Sequence, residues 1–439
     1  MRLNYGDKVA TSTNLTAKKA VKRTAWRSPV RCIRTGGLCV AIVLLGVATH
    51  AHAQSASRVA ALIEDHLYAG TLEAGERALR QVAGEEPANA EARFALGGVL
   101  LVRAVERFGQ SMYRHGLQTP RNALLPLFGL PLAFNANPEP LTYDGFRAIL
   151  ASLVQDLDAV ESELARVGDS PVKLSVDIAR IRLDLNADGL ADPRESLSSM
   201  IAGLSVLARG SERLPVSFDL ADVYWLRGYA HMMAVSAEFF LAYDFRATFD
   251  STFHMFFPRA GLPFSRMFAE PTMPGRGNDM GSIFDFVAFI HLVRWDLAEP
   301  QRMTSIHTRL KSVIALSRKT WAAVRAETDN DNEWLPGPHQ KGVLDMPVTE
   351  GMITSWLAML DEFEAVLDGR ALAPHPRFTR GINVRRVLTE PRPFDLVLWF
   401  TGHGVLPYLE DGPIAEGRAW TQAQRVFGGQ FLAYAFWFN

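Results

Sequence analysis

The stretch Asp184-Leu185-Asn186-Ala187-Asp188-Gly189-Leu190-Ala191-Asp192-Pro193-Arg194-Glu195 constrains this chain more than any other. Oxygen-bearing side chains stand at its first, third, fifth, ninth and twelfth positions, with Gly189 at the sixth. Upstream, Ser170-Pro171 supplies an N-cap and a first-turn proline, and Leu174, Ile178 and Ile181 follow at helical spacing, predicting an entering helix. Downstream, Asp192 caps an exiting helix. Pro193 stands in its first turn, Glu195 completes a capping box, and Leu197, Met200, Ile201, Leu204 and Leu207 form an apolar face.

The twelve residues match the pattern D-x-[DN]-x-[DN]-G-x5-E and resemble the loop of an EF-hand. The resemblance implies Ca2+ as the ion. It assigns side-chain ligands to Asp184, Asn186 and Asp188, a carbonyl to Leu190, a water-bridging role to Asp192 and a bidentate carboxylate to Glu195. From average residue usage the bare pattern arises in roughly one chain per thousand of this length. Position eight, where the family carries a branched apolar residue that pairs with a second loop, is Ala191. The other acidic stretch, Asp329-Asn330-Asp331-Asn332-Glu333, has Trp334 where the turn glycine belongs and reads as a solvated loop. An unpaired loop implies structural or modest-affinity binding, with a Kd of about 10⁻⁴–10⁻³ M.

Charge and cysteine placement point to export. Residues 1–53 hold nine Lys/Arg and one acidic residue, so the remainder carries 37 basic and 46 acidic residues, a net of −9. That balance disfavours nucleic acid as a partner and tolerates cations. The basic residues run through Lys18, Lys19, Lys22, Arg23, Arg27, Arg31 and Arg34 into the apolar run Leu38 to Ala48, and Ala51-His52-Ala53 is a small-x-small cleavage site. The pattern predicts a signal peptide over 1–53, a mature chain from Gln54, and a periplasmic or secreted protein. The apolar run is far shorter than the ~20 residues of a membrane span. Cys32 and Cys39 both fall in the removed segment, so disulfides, thiolate metal sites and a cysteine nucleophile are excluded from the mature chain.

The mature chain reads as mainly α, a multi-helix bundle-like array with one EF-hand-like helix-loop-helix and a small β-rich C-terminal element. Residues 54–118 predict a helical hairpin in which Pro87-Ala88-Asn89-Ala90-Glu91-Ala92-Arg93-Phe94-Ala95-Leu96-Gly97 resembles the junction between tetratricopeptide repeats; an ordinary hairpin fits equally. A proline-rich linker or loop follows over 119–140. The central helical domain, 141–372, begins with a helix over Leu141–Gly168 and continues with helices near 305–327 and 349–367. The turn-rich Trp334-Leu335-Pro336-Gly337-Pro338-His339-Gln340 offers a Trp and a His to a ligand or to packing. From 373 to 439 the character is mixed: 381–388 and 394–400 are short and β-rich, and the aromatic terminus predicts a segment tucked into the core.

Two further helices are apolar nearly all round, which marks them as buried. Over 221–245, Arg227, His231 and Glu238 share a stripe; over 282–297, Asp285 and Asp296 share one and His291 and Arg294 another. Phe253-His254-Met255-Phe256-Phe257-Pro258 and the Gly/Pro-rich 271–281 lie between. Charges on buried helices are paired or ligated. In one reading His231, Glu238, His254, Asp285 and His291 converge as a metal or acid/base site. In the other the stripes are internal salt bridges. No HExxH, GxSxG, P-loop or dinucleotide fingerprint accompanies them. Three functions stay open: an exported calcium-binding protein with a structural ion, a periplasmic metal-dependent hydrolase, and a protein-interaction module built on the N-terminal helices.

Overall fold

Helical period and side-chain caps place twelve α-helices among the described residues. The computed structural model describes residues 58–118, 130, 132–197, 199, 213–265 and 279–438. The expected targeting segment over 1–53, most of the proline-rich stretch 119–140, the expected exiting helix beyond Ser199 and most of 271–281 lie outside them. The N-terminal hairpin is α1 (Leu72–Glu85) and α2 (Ala90–Arg114), with Asn89 as N-cap accepting from the Ala92 N–H at 2.9 Å. Thr142 caps α3 (Tyr143–Leu164) in the same way through the Gly145 N–H. These side-chain oxygens satisfy backbone donors that a helix start leaves open.

The helices pack in a row. α1 lies on α2, α2 on α3, α3 on α4 (Leu220–Ala242), and α4 on α7 (Gln301–Ala326). The α3–α2 contact is close at Gly97, where a Cβ would come within 2.2 Å of Leu164 Cδ2. Alanines 230, 234 and 237 are buried on α4 and let its neighbours approach. Between α4 and α7 in sequence come α5 (Arg246–Thr252) and α6 (Asp279–Leu292). α8 (Glu350–Leu367) packs on α7, and the small helices α9 (Val384–Thr389) and α10 (Leu396–Phe400) follow. Finally α11 (Arg418–Phe427) packs on α8, and α12 (Phe431–Phe438) drives Trp437 and Phe438, 1% and 0% exposed, into the core. Phe438 packs against Trp321, ring centroids 4.3 Å apart and planes tilted by 52°, and Trp225 Nε1 donates to the Trp437 carbonyl at 2.7 Å. The aromatic terminus is core. No helix among the described residues is long and apolar enough to cross a membrane.

Strands are few and short. β1 (Leu174–Asp177) pairs antiparallel with β2 (Pro215–Phe218) in the register Leu174↔Phe218 to Asp177↔Pro215. β3 (Tyr243–Asp244), β4 (Arg294–Leu297) and β6 (Phe394–Asp395) form a three-stranded sheet in the order β3-β4-β6, and β5 (Gly381–Ile382) pairs with β7 (Leu409–Glu410). The fold is mainly α with a small β component.

Three local expectations need correction. Residues 294–297, expected as the end of a buried helix over 282–297, form β4, so Arg294 and Asp296 share no helix stripe with His291 and Asp285, and Ile283, Phe284, Phe286 and Val287 of α6 are more than half exposed. The segment 170–181 is not an entering helix: it forms β1 and a 3-10 turn at Ile178–Arg180. Leu174, Ile178 and Ile181 suit a helix, but Val172, Leu174 and Val176 alternate buried with exposed Lys173 and Ser175, and β2 supplies the partner that makes the period of two win. The loop is therefore entered from a strand. The apolar runs 384–389 and 396–400 are helical, because Asn383 and Asp395 cap them through the N–H groups of Arg386 and Leu398, leaving only residue pairs as strand.

Candidate metal centre

The loop Asp184–Glu195 is held on three sides. At its neck Arg182 and Ser196 form an antiparallel bridge, the Leu183 N–H donates to the Glu195 carbonyl at 2.8 Å and the Leu197 N–H to the Ile181 carbonyl at 2.9 Å. On one flank Leu183 and Leu185 are buried at 0% and 1%, the Asp184 N–H donates to Glu106 Oε1 at 2.9 Å, and Gln110 Nε2 donates to the Asp184 carbonyl at 2.7 Å, so α2 carries the loop. On the other flank Gly70, with φ +73°, approaches so closely that a Cβ there would lie 2.1 Å from that of Ala191. Ala191 is small because a backbone turn sits against it.

Within the loop, Ala187 and Gly189 adopt φ of 59° and 81°, the left-handed region that a non-glycine residue rarely visits. Those turns fold the backbone around the carboxylates. Asp184 accepts from the N–H groups of Asp188 (3.1 Å) and Gly189 (3.0 Å), Asn186 Oδ1 from Asp188 (2.9 Å), and Asp188 Oδ1 from Leu190 (2.8 Å). Asp192 and Glu195 make the capping box, Glu195 Oε2 accepting from the Asp192 N–H at 3.1 Å. Asp192 is also engaged by its neighbour Arg194, whose side-chain hydrogen bond lowers the Asp192 pKa. Glu195 is 5% exposed, and its Oε1 is buried with no hydrogen-bond partner. Burial raises its pKa, the N–H groups of Asp192 and Leu185 work against that, and the charges of Asp184 and Asp188 add to it. A buried carboxylate that feels the charge of two more carboxylates in an all-oxygen loop has the composition of a hard-cation site. Leu190, whose carbonyl the resemblance assigns as a ligand, has a side chain 72% exposed.

A second acidic group is brought together only by folding. Asp219 is the N-cap of α4, Glu327 follows the last residue of α7, and Glu333 ends the Asp329–Glu333 stretch; one carboxylate oxygen from each lies within 4.8 Å of the others. Among the described residues no other three His, Cys or acidic ligand atoms meet that limit, the loop carboxylates included. The Ser217 N–H donates to the Asn332 carbonyl at 3.1 Å, docking the stretch on β2, and Glu333 is 2% exposed. The expectation of a solvated loop fails at its last residue. Trp334 is buried too, 5.5 Å from Trp225 between ring centroids, while His339 is exposed. Burial first, then the charge of Asp219, pushes Glu327 up to about 8; burial likewise raises Asp222, with Asp219, Glu327 and Glu333 adding.

No protein-family model, curated protein or solved structure matches the chain.

The polar stripe of α4 is neutralised from neighbouring helices. Arg227 grips Glu161 of α3 through Nε (3.1 Å) and Nη2 (2.8 Å), and His231 Nε2 lies 3.7 Å from the same carboxylate. Burial opposes ionisation of Glu161, but the bonds to His231 and Arg227 outweigh it and hold its pKa low. Glu238 pairs with Arg309 of α7 at 3.2 Å and accepts from Ser305 Oγ at 3.0 Å; Arg309 also reaches Asp158 at 2.7 Å. His254 is buried in a 3-10 turn, Phe253–Met255, and His291 is exposed in the last turn of α6. His231, Glu238, His254 and His291 are thus not gathered into a ligand set, and the Asp285 side chain lies outside the described residues. The partners Glu161, Asp158 and Arg309 come from other helices, with no pattern in the α4 sequence to announce them.

Proposed function

We propose that the chain is an exported calcium-binding helical protein in which the ion sits in the Asp184–Glu195 loop and has a structural role. The observation that carries this reading is the buried, unpartnered Oε1 of Glu195 beside Asp184 and Asp188. A divalent cation supplies the missing partner and offsets the repulsion of three carboxylates. The loop is fastened to α2 through Glu106 and Gln110 and to the Gly70 turn through Ala191, so an ion there stiffens the junction between the N-terminal hairpin and β1.

The test is calorimetric calcium titration of the purified protein with parallel thermal melts, against Asp184→Asn/Glu195→Gln. Both substitutions keep the shape of the side chains and remove charge. At calcium a hundredfold above Kd, linkage stabilises the protein by about 2.7 kcal/mol. For a chain of this size that is roughly 3 °C in Tm. Identical melts for the two proteins with and without calcium would remove the ion from this loop.

A further inference from the structure

We propose that Asp219, Glu327 and Glu333 form a second site for a hard divalent cation, Ca2+ in class, independent of the Asp184–Glu195 loop. Three carboxylate oxygens within 4.8 Å of one another repel unless a cation or a proton lies among them. Among the described residues no Lys or Arg pairs with any of the three; Lys173, whose charge acts on Glu333, is taken up by Asp329 and by Asp331 at 3.3 Å.

Two orphaned oxygens mark where a ligand belongs. Asp222 is 2% exposed, and while its Oδ2 accepts from the Asp219 N–H at 2.9 Å, its Oδ1 is buried with no partner. That bond sets the Asp222 carboxylate against the Asp219 backbone, at the edge of the group. Glu327 Oε1 is likewise buried and unpartnered, its Oε2 accepting from Gln340 Nε2 at 3.3 Å. A helix cap explains Asp219 and Asp222, since both serve the first turn of α4. It does not explain why the end of α7 and a separate loop deliver two more carboxylates to that turn.

The delivery is rigid. Glu333 is fixed by its parallel bridge to Gly342, by the Val343 N–H donating to its carbonyl at 2.9 Å, and by the Asp331 N–H donating to its Oε1 at 2.7 Å. Gln340 ties Glu327 to the Asp329 carbonyl, which it reaches at 2.8 Å. The donor set is all oxygen, with neither imidazole nor thiolate. That composition suits Ca2+ over Zn2+ or Cu2+, and the spread over three rigid segments suits the flexible, larger coordination sphere of Ca2+ better than the strict octahedron of Mg2+. Backbone carbonyls and water complete such a sphere.

The rival occupant is a proton shared between Asp219 and Glu327. Chelator-treated full-length protein is titrated with CaCl2 by calorimetry, alongside Asp184→Asn/Glu195→Gln, Glu327→Gln/Glu333→Gln and Asp219→Asn. Asn caps a helix as well as Asp, so the last variant keeps α4 intact while removing one charge. Far-UV circular dichroism checks that each variant folds. The proposal expects Glu327→Gln/Glu333→Gln to bind one equivalent fewer than wild type, and Asp219→Asn to bind that equivalent at least tenfold more weakly. It is overturned if both bind calcium as wild type does, which leaves the shared proton. It is also overturned if wild type takes up a single equivalent that vanishes only in Asp184→Asn/Glu195→Gln. A single equivalent lost only from the Glu327/Glu333 variant would uphold this site and sink the loop reading.

Discussion

Replacing Glu238 with Ala separates a salt bridge from an active-site stripe. The Glu238 and Arg309 side chains are 4% and 11% exposed and lie 3.2 Å apart across the seam between α4 and α7. Removing one partner of a buried pair costs about 3–5 kcal/mol, because the other charge stays behind desolvated. Here Arg309 keeps Asp158 at 2.7 Å, an aspartate 53% exposed, so the lower end, about 3 kcal/mol, applies. With an unfolding entropy of about 2.1 cal/mol/K per residue, a unit approaching four hundred residues loses roughly 4 °C of Tm. The assay is urea denaturation and thermal melting of Glu238→Ala, Arg309→Met and the pair Glu238→Leu/Arg309→Met. The paired replacement should recover most of the loss, since apolar groups of similar volume fill the seam without a charge. A Glu238→Ala protein as stable as wild type would refute the argument, and loss of a bound transition metal in that variant would revive the catalytic reading.

Two further outcomes are expected. Gly97→Val should lower stability by about 1–3 kcal/mol in urea denaturation, because Leu164, 0% exposed, has nowhere to retreat from a side chain at the α2–α3 contact. In chelator, Tm should fall as pH rises from about 5 to 8: Glu327 has its pKa raised from 4.5 to about 8, so the folded state holds a proton that the unfolded chain has released, and that stability is lost as pH climbs through the folded value. Differential scanning calorimetry of wild type and Glu327→Gln checks this, the variant giving the flatter profile; equal slopes would contradict it.

The helices were legible because their information is local. Apolar residues recur every three or four positions along α3 and α8, α4 is apolar nearly all round, and Asn89, Thr142 and Thr349 stand where a helix start needs an acceptor. The Asp184–Glu195 loop was legible for the same reason, since its oxygens follow one another along twelve residues and Asp192 and Glu195 form the capping box read from their spacing. Where two local readings competed, only a partner settled the matter. Residues 170–181 carry both a helical and an alternating pattern, and the ladder to β2 made them a strand. Ala191 looked like a departure until the Gly70 turn filled the space. The stripe on α4 showed charges without showing Glu161 or Arg309, which neutralise them from α3 and α7. The acidic group at Asp219, Glu327 and Glu333 is the extreme case. Its members come from a helix start, a helix end and a loop, and no periodicity links them. Short-range order sets dihedrals and caps, whereas the meeting of charges distant in sequence is set by how the helices stack, and that is decided by the burial of all their apolar faces at once.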